Sequence, residues 1–307
     1  MTFITRFAPS PTGPLHLGHA YSALLAHDMA MAEGGTFVLR IDDLDQSRSR
    51  VAWEEQICED LHWLGITWPP PVRKQSECQR DYDRALDVLW RKGLLYQCSC
   101  SRRDIKDAQS APQEGAPQFG PDGLIYPGTC RPQTPPSGPR PQNVTLRLDV
   151  SKALSGPDLQ PHFSRRAGER LDFSSFMETG PHANTAIEQY EFTSEFILNQ
   201  IGDFVVARRN MGASYHLAVV VDDQEQGVTH VIRGADLLEA TIIQLLIGWL
   251  LDDELYQYWS QPVYHHHRLI RDDQGKRLAK RDDARAIAKY RAEGASPADI
   301  RQFVGLG

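Results

Sequence analysis

Two hydrophobic periods alternate at both ends of this chain, and its middle keeps neither. Residues 2–7, 36–41, 203–208, 230–233 and 262–264 are short apolar or β-branched runs of the kind that form strands. Residues 20–32, 50–64, 80–94 and 237–251 repeat their apolar positions every three to four residues, as helices do. Strand then helix, repeated, predicts an α/β fold on an open Rossmann-type parallel sheet, whose ligands lie at the carboxyl ends of the strands. Residues 105–143 break the pattern, being thick with Pro, Gly, Gln and Ser, and 144–150 alternate again like a half-buried strand. The expected organisation is a first half of the sheet domain in 1–95, an insertion in 96–191, the second half in 192–264, and a basic loop with a short helical end in 265–307.

At 307 residues, 41% hydrophobic and 24% charged, the chain can bury a large core. No apolar run approaches the roughly 18 residues of a membrane span, and a strand begins where a signal peptide would sit. A cytoplasmic monomer that touches no membrane is expected. The net charge of −7 speaks against a protein that coats nucleic acid, yet residues 268–291 hold nine Lys or Arg against four Asp. That stretch forms a local basic face, although a solvated charged helix would read the same way. Arg165, Arg166 and Arg170 offer a second basic group that suits RNA phosphate or a plain surface equally.

Chemistry concentrates in Ala8-Pro9-Ser10-Pro11-Thr12-Gly13-Pro14-Leu15-His16-Leu17-Gly18-His19, between the first strand and the first helix. Three prolines and two glycines make a stiff loop of close approach, and the helix that follows turns its free N–H groups back at it. With two imidazoles there, this end suits a nucleotide phosphate; the plainer reading is that the histidines cap the helix. Cys98, Cys100 and Cys130 form a second group, while Cys58 and Cys78 stand apart. Three clustered thiols in a reducing compartment favour Zn²⁺ over a disulfide and leave one tetrahedral position open, and unligated thiols remain the alternative. His265-His266-His267 reads as a strand end beside the basic loop rather than a metal tract, and Trp63, Trp68, Trp90 and Trp249 read as core.

Far downstream, Gly275-Lys276-Arg277-Leu278-Ala279-Lys280-Arg281 forms a glycine-opened basic loop. Paired with the segment 16–19, it resembles the two signatures of class I aminoacyl-tRNA synthetases. Residues 6–13, Leu39-Arg40-Ile41-Asp42-Asp43-Leu44-Asp45 and Tyr215-His216-Leu217-Ala218 are similar to the glutamyl branch of that class. Glutamyl-tRNA synthetases continue past the lysine loop into a helical anticodon-binding region, whereas this sequence reaches Gly307 barely one helix later. It therefore resembles the short paralogues, the glutamyl-queuosine tRNA(Asp) synthetases. Residues 202–206 leading into Tyr215, and 231–237 after Asp222-Asp223, favour that branch.

The resemblance implies a Rossmann-type catalytic domain split by a zinc-bearing insertion, with a short helical C-terminal extension and no anticodon-binding domain. It implies an enzyme, a ligase that activates L-glutamate with ATP without tRNA and esterifies it to the queuosine base at the wobble position of tRNA(Asp). Carried over residue by residue, ATP is held by Pro9, His16, Gly18, His19 and Lys280, with His16, His19 and Lys280 catalytic and Mg²⁺ on the pyrophosphate. Arg233 meets the glutamate side chain beside Tyr215, with Arg6, Ala8, Ser10 and Asp42 near the α-amino group. One structural zinc falls to Cys98, Cys100, Tyr126 and Cys130. Three departures from the family pattern stand out: Asp42 stands where Glu is usual, Arg277 and Ala279 replace Lys and Ser in the lysine loop, and the loop between the two halves of the zinc set is longer. The rival readings are a short synthetase charging the 3′ end of tRNA(Glu) or tRNA(Gln), a non-catalytic tRNA-binding paralogue, and a nucleotidyltransferase acting on a small acid.

Overall fold

The structure is a computed structural model that describes residues 2–109, 119–164, 172–181, 188–256, 259–271 and 285–307. In chain order its elements are β1 (Ile4–Phe7), α1 (Leu17–Ala32), β2 (Thr36–Ile41), α2 (Val51–Trp63), β3 (Arg73–Lys74), α3 (Gln79–Arg91), β4 (Leu95–Gln97) and α4 (Arg102–Gln109). A small hairpin, β5 (Phe119–Gly120) and β6 (Gly123–Leu124), precedes β7 (Leu146–Leu148), α5 (Val150–Ser155), β8 (Phe173–Glu178), β9 (Glu188–Thr193) and α6 (Ser194–Phe196). The chain continues through β10 (Val205–Ala207), α7 (Tyr215–Glu225), β11 (His230–Gly234), α8 (Ala240–Leu251), β12 (Val263–His267), α9 (Ile287–Ala292) and α10 (Pro297–Val304).

Seven strands make the main sheet in the order β3-β2-β1-β11-β12-β8-β9. Every neighbouring pair is parallel except β8 and β9, so the sheet is mixed. The strand-helix alternation is thus realised around β1, β2, β11 and β12, but two expectations change. Strand β10, inside the predicted run 203–208, lies not in this sheet but in a separate antiparallel one of order β10-β7-β4. A period of two marks a strand without saying which sheet will hydrogen-bond it. The segment 96–191, expected as an insertion splitting the sheet domain, contributes β8 and most of β9 to the sheet's far edge.

Helix α1 can pack closely because its buried positions include Ala20, Ala23, Ala26 and Ala30. Gly35 then turns the chain into β2, where an added Cβ would lie 2.1 Å from the Phe3 carbonyl oxygen, so only glycine fits. In α3 the buried Tyr82, Ala85, Leu86 and Leu89 repeat at helical spacing, and every residue of α8 is buried, which explains its lack of a polar face. Of the four tryptophans named above, Trp90 and Trp249 are buried, whereas Trp63 and Trp68 are only half-buried beside the core. Helices α9 and α10 return to α1: Ile287, Ile300 and Val304 join its core, and Arg301 forks onto Asp28 at 2.6 and 2.8 Å. Among the described residues no helix is long and apolar enough to cross a membrane.

Candidate active site

The carboxyl ends of β1, β2, β11 and β12 face the amino end of α1 around one open cleft of about 340 Å³. Of the residues singled out from the sequence, Arg6, Ala8, His16, Gly18, His19, Asp42, Tyr215 and Arg233 line it. Pro9 and Ser10 do not: Pro9 is buried, with its carbonyl accepting the Asp42 N–H at 3.0 Å, and Ser10 is exposed on the same loop. Lys280 and the rest of the lysine loop lie outside the described residues, as do Arg165, Arg166 and Arg170. Both flanks of that loop border the cleft, since Ile270 lines it and Ala286 pairs with His16.

At one end of the cleft the two histidines are locked to the helix they begin. His16 is the N-cap; its Nδ1 accepts from the Gly18 N–H at 3.1 Å, while the Nδ1 of His19 accepts from the His16 N–H at 3.2 Å. The rings sit 3.8 Å apart, tilted by 31°. With both Nδ1 atoms accepting, each neutral ring carries its proton on Nε2. The first turn of α1 holds no acidic side chain, so the positive end of the helix dipole meets the cleft without an opposing charge of its own. Capping and lining the cleft are therefore done by the same two rings.

At the other end Arg233 is buried, and burial pushes its guanidinium below the usual arginine value. Its Nη1 donates to Gln244 at 2.7 Å, Nη2 to Thr241 at 2.7 Å and the Leu237 carbonyl at 3.2 Å, and Nε to Nε2 of His266 at 3.1 Å. All of these acceptors are neutral. No carboxylate among the described residues lies within ion-pair distance of Arg233, so among them its charge has no anionic partner.

Between the two ends runs a buried network that the sequence reading did not assign. Arg40, fully buried near the carboxyl end of β2, donates from Nε to Asp42 at 2.8 Å and from Nη1 to Asp223 at 2.5 Å and Gln226 at 3.3 Å. Arg6 also reaches Asp223, at 3.1 Å. Asp222 next door takes Arg73 at 2.7 Å, Gln75 at 2.8 Å and the Tyr82 hydroxyl at 3.0 Å. Burial raises the carboxyls of both Asp42 and Asp223, but the outcomes differ. At Asp42 it prevails over Arg40 and the value rises to about 6, whereas at Asp223 Arg6 and Arg40 together outweigh it and hold the group low. A signal for this network was present: an arginine inside Phe37-Val38-Leu39-Arg40-Ile41 must find a partner in the core, and so must paired aspartates following Val219-Val220-Val221.

The cysteines form a second centre. The ligand atoms of Cys98, Cys100 and Cys130 lie within 4.8 Å of one another, against a core of Tyr96, Ile105 and Tyr126. The Tyr126 hydroxyl oxygen is 3.5 Å from the Cys98 sulfur and 3.4 Å from that of Cys100, and it accepts the Cys130 N–H at 2.7 Å.

A mixed, mostly parallel sheet whose strands end at a cleft, with a helix start at one end and a buried arginine at the other, is in keeping with the catalytic domain of a class I aminoacyl-tRNA synthetase. The model for "tRNA synthetases class I (E and Q), catalytic domain" matches residues 2–121 and 183–307. A glutamyl-Q tRNA(Asp) synthetase of Rhodobacter capsulatus is 55% identical over 310 residues, covering 99% of this chain and 100% of that protein. Another from Symbiobacterium thermophilum is 39% identical, covering 96% and 83%. A glutamate tRNA ligase from Elizabethkingia meningosepticum superposes with a TM-score of 0.71 at 24% identity; this chain spans 61% of that one. The chain belongs to the glutamyl-Q tRNA(Asp) synthetase family, a branch of the class I synthetases, and is a ligase.

Proposed function

We propose that this enzyme activates L-glutamate with ATP in the absence of tRNA and transfers it to the queuosine base at the wobble position of tRNA(Asp). The single observation that supports this reading is the polarity of the cleft, with a helix start free of acidic side chains and lined by two histidines at one end and, at the other, the buried Arg233 that lacks a carboxylate among the described residues. In this reading the α-carboxylate oxygen of glutamate attacks the α-phosphorus of ATP, pyrophosphate leaves, and a hydroxyl of the queuosine ring then takes the glutamyl group while AMP departs. His16 and His19, beside Gly18, hold the phosphates and Lys280 closes over them, while Pro9, with no N–H to offer and its carbonyl taken by Asp42, only shapes the loop. Arg233 meets the side-chain carboxylate beside Tyr215, through its charge and the Nη1 N–H that its neighbours leave over, and Arg6, Ala8 and Asp42 surround the α-amino group; Ser10, exposed on the loop, is too far out to join them. A glutamine side chain in that pocket would leave the guanidinium unpaired, which is the basis of selection. Mg²⁺ bound with ATP supplies neutralisation of the leaving pyrophosphate.

Cys98, Cys100, Tyr126 and Cys130 fit one structural Zn²⁺. The contacts of 3.4–3.5 Å between the phenol oxygen and two of the sulfurs are close to the roughly 3.5–3.8 Å that separates neighbouring ligands around a tetrahedral zinc. When bound, the ion ties β4 to the loop after β6. About one zinc per chain is expected, retained by Cys78→Ser and lost by Cys98→Ser and Cys130→Ser; metal-free wild-type protein with unaltered melting would remove the site.

Pyrophosphate exchange tests the activation step. Exchange should depend on glutamate and proceed without tRNA, and Lys280→Ala should slow it by roughly 10² to 10³. Strict dependence on tRNA would favour an ordinary synthetase charging 3′ ends. For transfer, tRNA(Asp) shortened at its 3′ end should accept glutamate and intact tRNA(Asp) lacking queuosine should not; the reverse result defeats the substrate assignment.

A further inference from the structure

Behind Arg233, away from the cleft, stand two buried ionisable residues that the proposed chemistry leaves unused. His266 is the cross-strand neighbour of Arg233 between β11 and β12, and Glu178 sits at the end of β8, the strand on the other side of β12. Both are essentially inaccessible to solvent. An arginine can only donate, so the His266 Nε2 that lies 3.1 Å from the Arg233 Nε must present its lone pair. The ring proton is then on Nδ1, which is 2.6 Å from Oε2 of Glu178. The other oxygen of Glu178 accepts the N–H groups of His266 at 2.9 Å and Gly180 at 2.7 Å. Burial would raise the Glu178 carboxyl, but these donors outweigh it and hold it low, so it stays a carboxylate. Gly180 permits the close approach, because a Cβ there would meet the Glu178 oxygen at 2.5 Å and the His266 carbonyl at 2.6 Å.

We propose that Glu178 and His266 are positioning residues: the carboxylate fixes the tautomer of His266, and His266 fixes the plane of the Arg233 guanidinium that selects a carboxylate side chain. This rests on the reading of Arg233 as the partner of the glutamate side chain. With Nε held by His266, Nη1 by Gln244 and Nη2 by Thr241 and the Leu237 carbonyl, the fork is oriented before any ligand arrives. Replacing Glu178 by glutamine keeps the shape and breaks the chain of donors. If the amide NH₂ turns toward the ring, Nδ1 must accept and the ring presents Nε2–H to a guanidinium that also donates; if it turns away, the NH₂ faces the N–H groups of His266 and Gly180 and the support of the ring is lost there.

The test is pyrophosphate exchange with glutamate and ATP varied separately, in intact protein. Glu178→Gln and His266→Asn should raise KM for glutamate by roughly 10- to 100-fold, the range spanned by one hydrogen bond to a charged group, and leave KM for ATP within about twofold. Asparagine places its amide near Nδ1 and loses Arg233; His266→Gln can still offer an acceptor near Nε2 and should fall between wild type and His266→Asn. Equal shifts for both substrates, or none for glutamate, would overturn the proposal. Arg233→Gln separates the two layers. If it raises KM for glutamate while the Glu178 and His266 variants do not, only the positioning role fails; if it leaves KM for glutamate unchanged, the pocket reading falls and takes this role with it. Should the variants fail to fold, the ¹⁵N ring spectrum of wild-type His266 decides: an Nδ1–H neutral ring supports the relay, and an Nε2–H or doubly protonated ring refutes it.

Discussion

The two ends of the cleft are built in opposite ways. The helix end comes from one unbroken stretch, residues 8–19, in which each histidine bonds to backbone two or three residues away. The arginine end assembles Glu178, Arg233, Thr241, Gln244 and His266, and behind its neighbour Arg6 the network joins Arg40 to Asp223 across 183 positions of sequence. An anion held by main-chain N–H groups needs little more than a helix start and a loop that reaches it. A lone guanidinium in the core needs acceptors on all sides, and only the packing of several strands and helices supplies them. One end should therefore tolerate local change with the fold intact, while the other should be inseparable from it.

The largest expected effect lies in the long-range network. Arg40→Met removes a fully buried cation that Asp42, Asp222 and Asp223 share, leaving Asp42 without its ion-pair partner and Asp223 to Arg6, which should cost about 3–5 kcal/mol of stability in urea unfolding. A loss below about 1 kcal/mol would show that these charges are not part of the structural core and would break the comparison.

Next comes the helix end, where stability and chemistry should separate. His16→Ala removes the cap and should cost about 1 kcal/mol, whereas His16→Asn restores a side-chain acceptor and should return most of that stability. Neither should restore pyrophosphate exchange, because the Nε2–H donor is gone. Recovery of exchange by asparagine would reduce His16 to a cap and leave the phosphates to other groups.

The smallest effect sharpens the comparison through pH. Asp60 is buried on α2, Arg291 is 3.6 Å away, neither carboxylate oxygen has a hydrogen-bond partner among the described residues, and burial raises its value to about 6. A carboxyl raised above its ordinary 3.8 binds its proton more tightly in the folded state, so its contribution is fully present below about pH 4 and is lost as pH rises through 6. Asp60→Asn should therefore gain on wild type, in melting temperature, between pH 4.5 and 7. A constant difference across that range would show that Asp60 is satisfied in a way its surroundings do not reveal.

What the sequence determined by itself is whatever depends on neighbours a few residues apart. Apolar spacing located β2 at its true bounds and α1, α2, α3 and α8 within a few residues, because a strand's alternation and a helix's stripe are properties of the local chain, but it missed α7, whose nearly all-buried residues leave no stripe to read. The loop at 8–19 was legible for the same reason, as was the Cys98-Ser99-Cys100 pair, whereas Cys130 reaches that pair across 30 positions of sequence. Tertiary structure alone decided the rest. It placed β10 in the small antiparallel sheet and set β8 and β9 at the edge of the large one, since register and partner are chosen by side chains far away in sequence. It turned His266 from one of three consecutive histidines in a strand into the residue that holds Arg233, and Arg40 from an anomaly in an apolar run into the hub of a charge network. A buried charge announces in the sequence that it must have partners, and only the folded chain says which they are, because the low dielectric that makes the partner obligatory exists only once the core has closed.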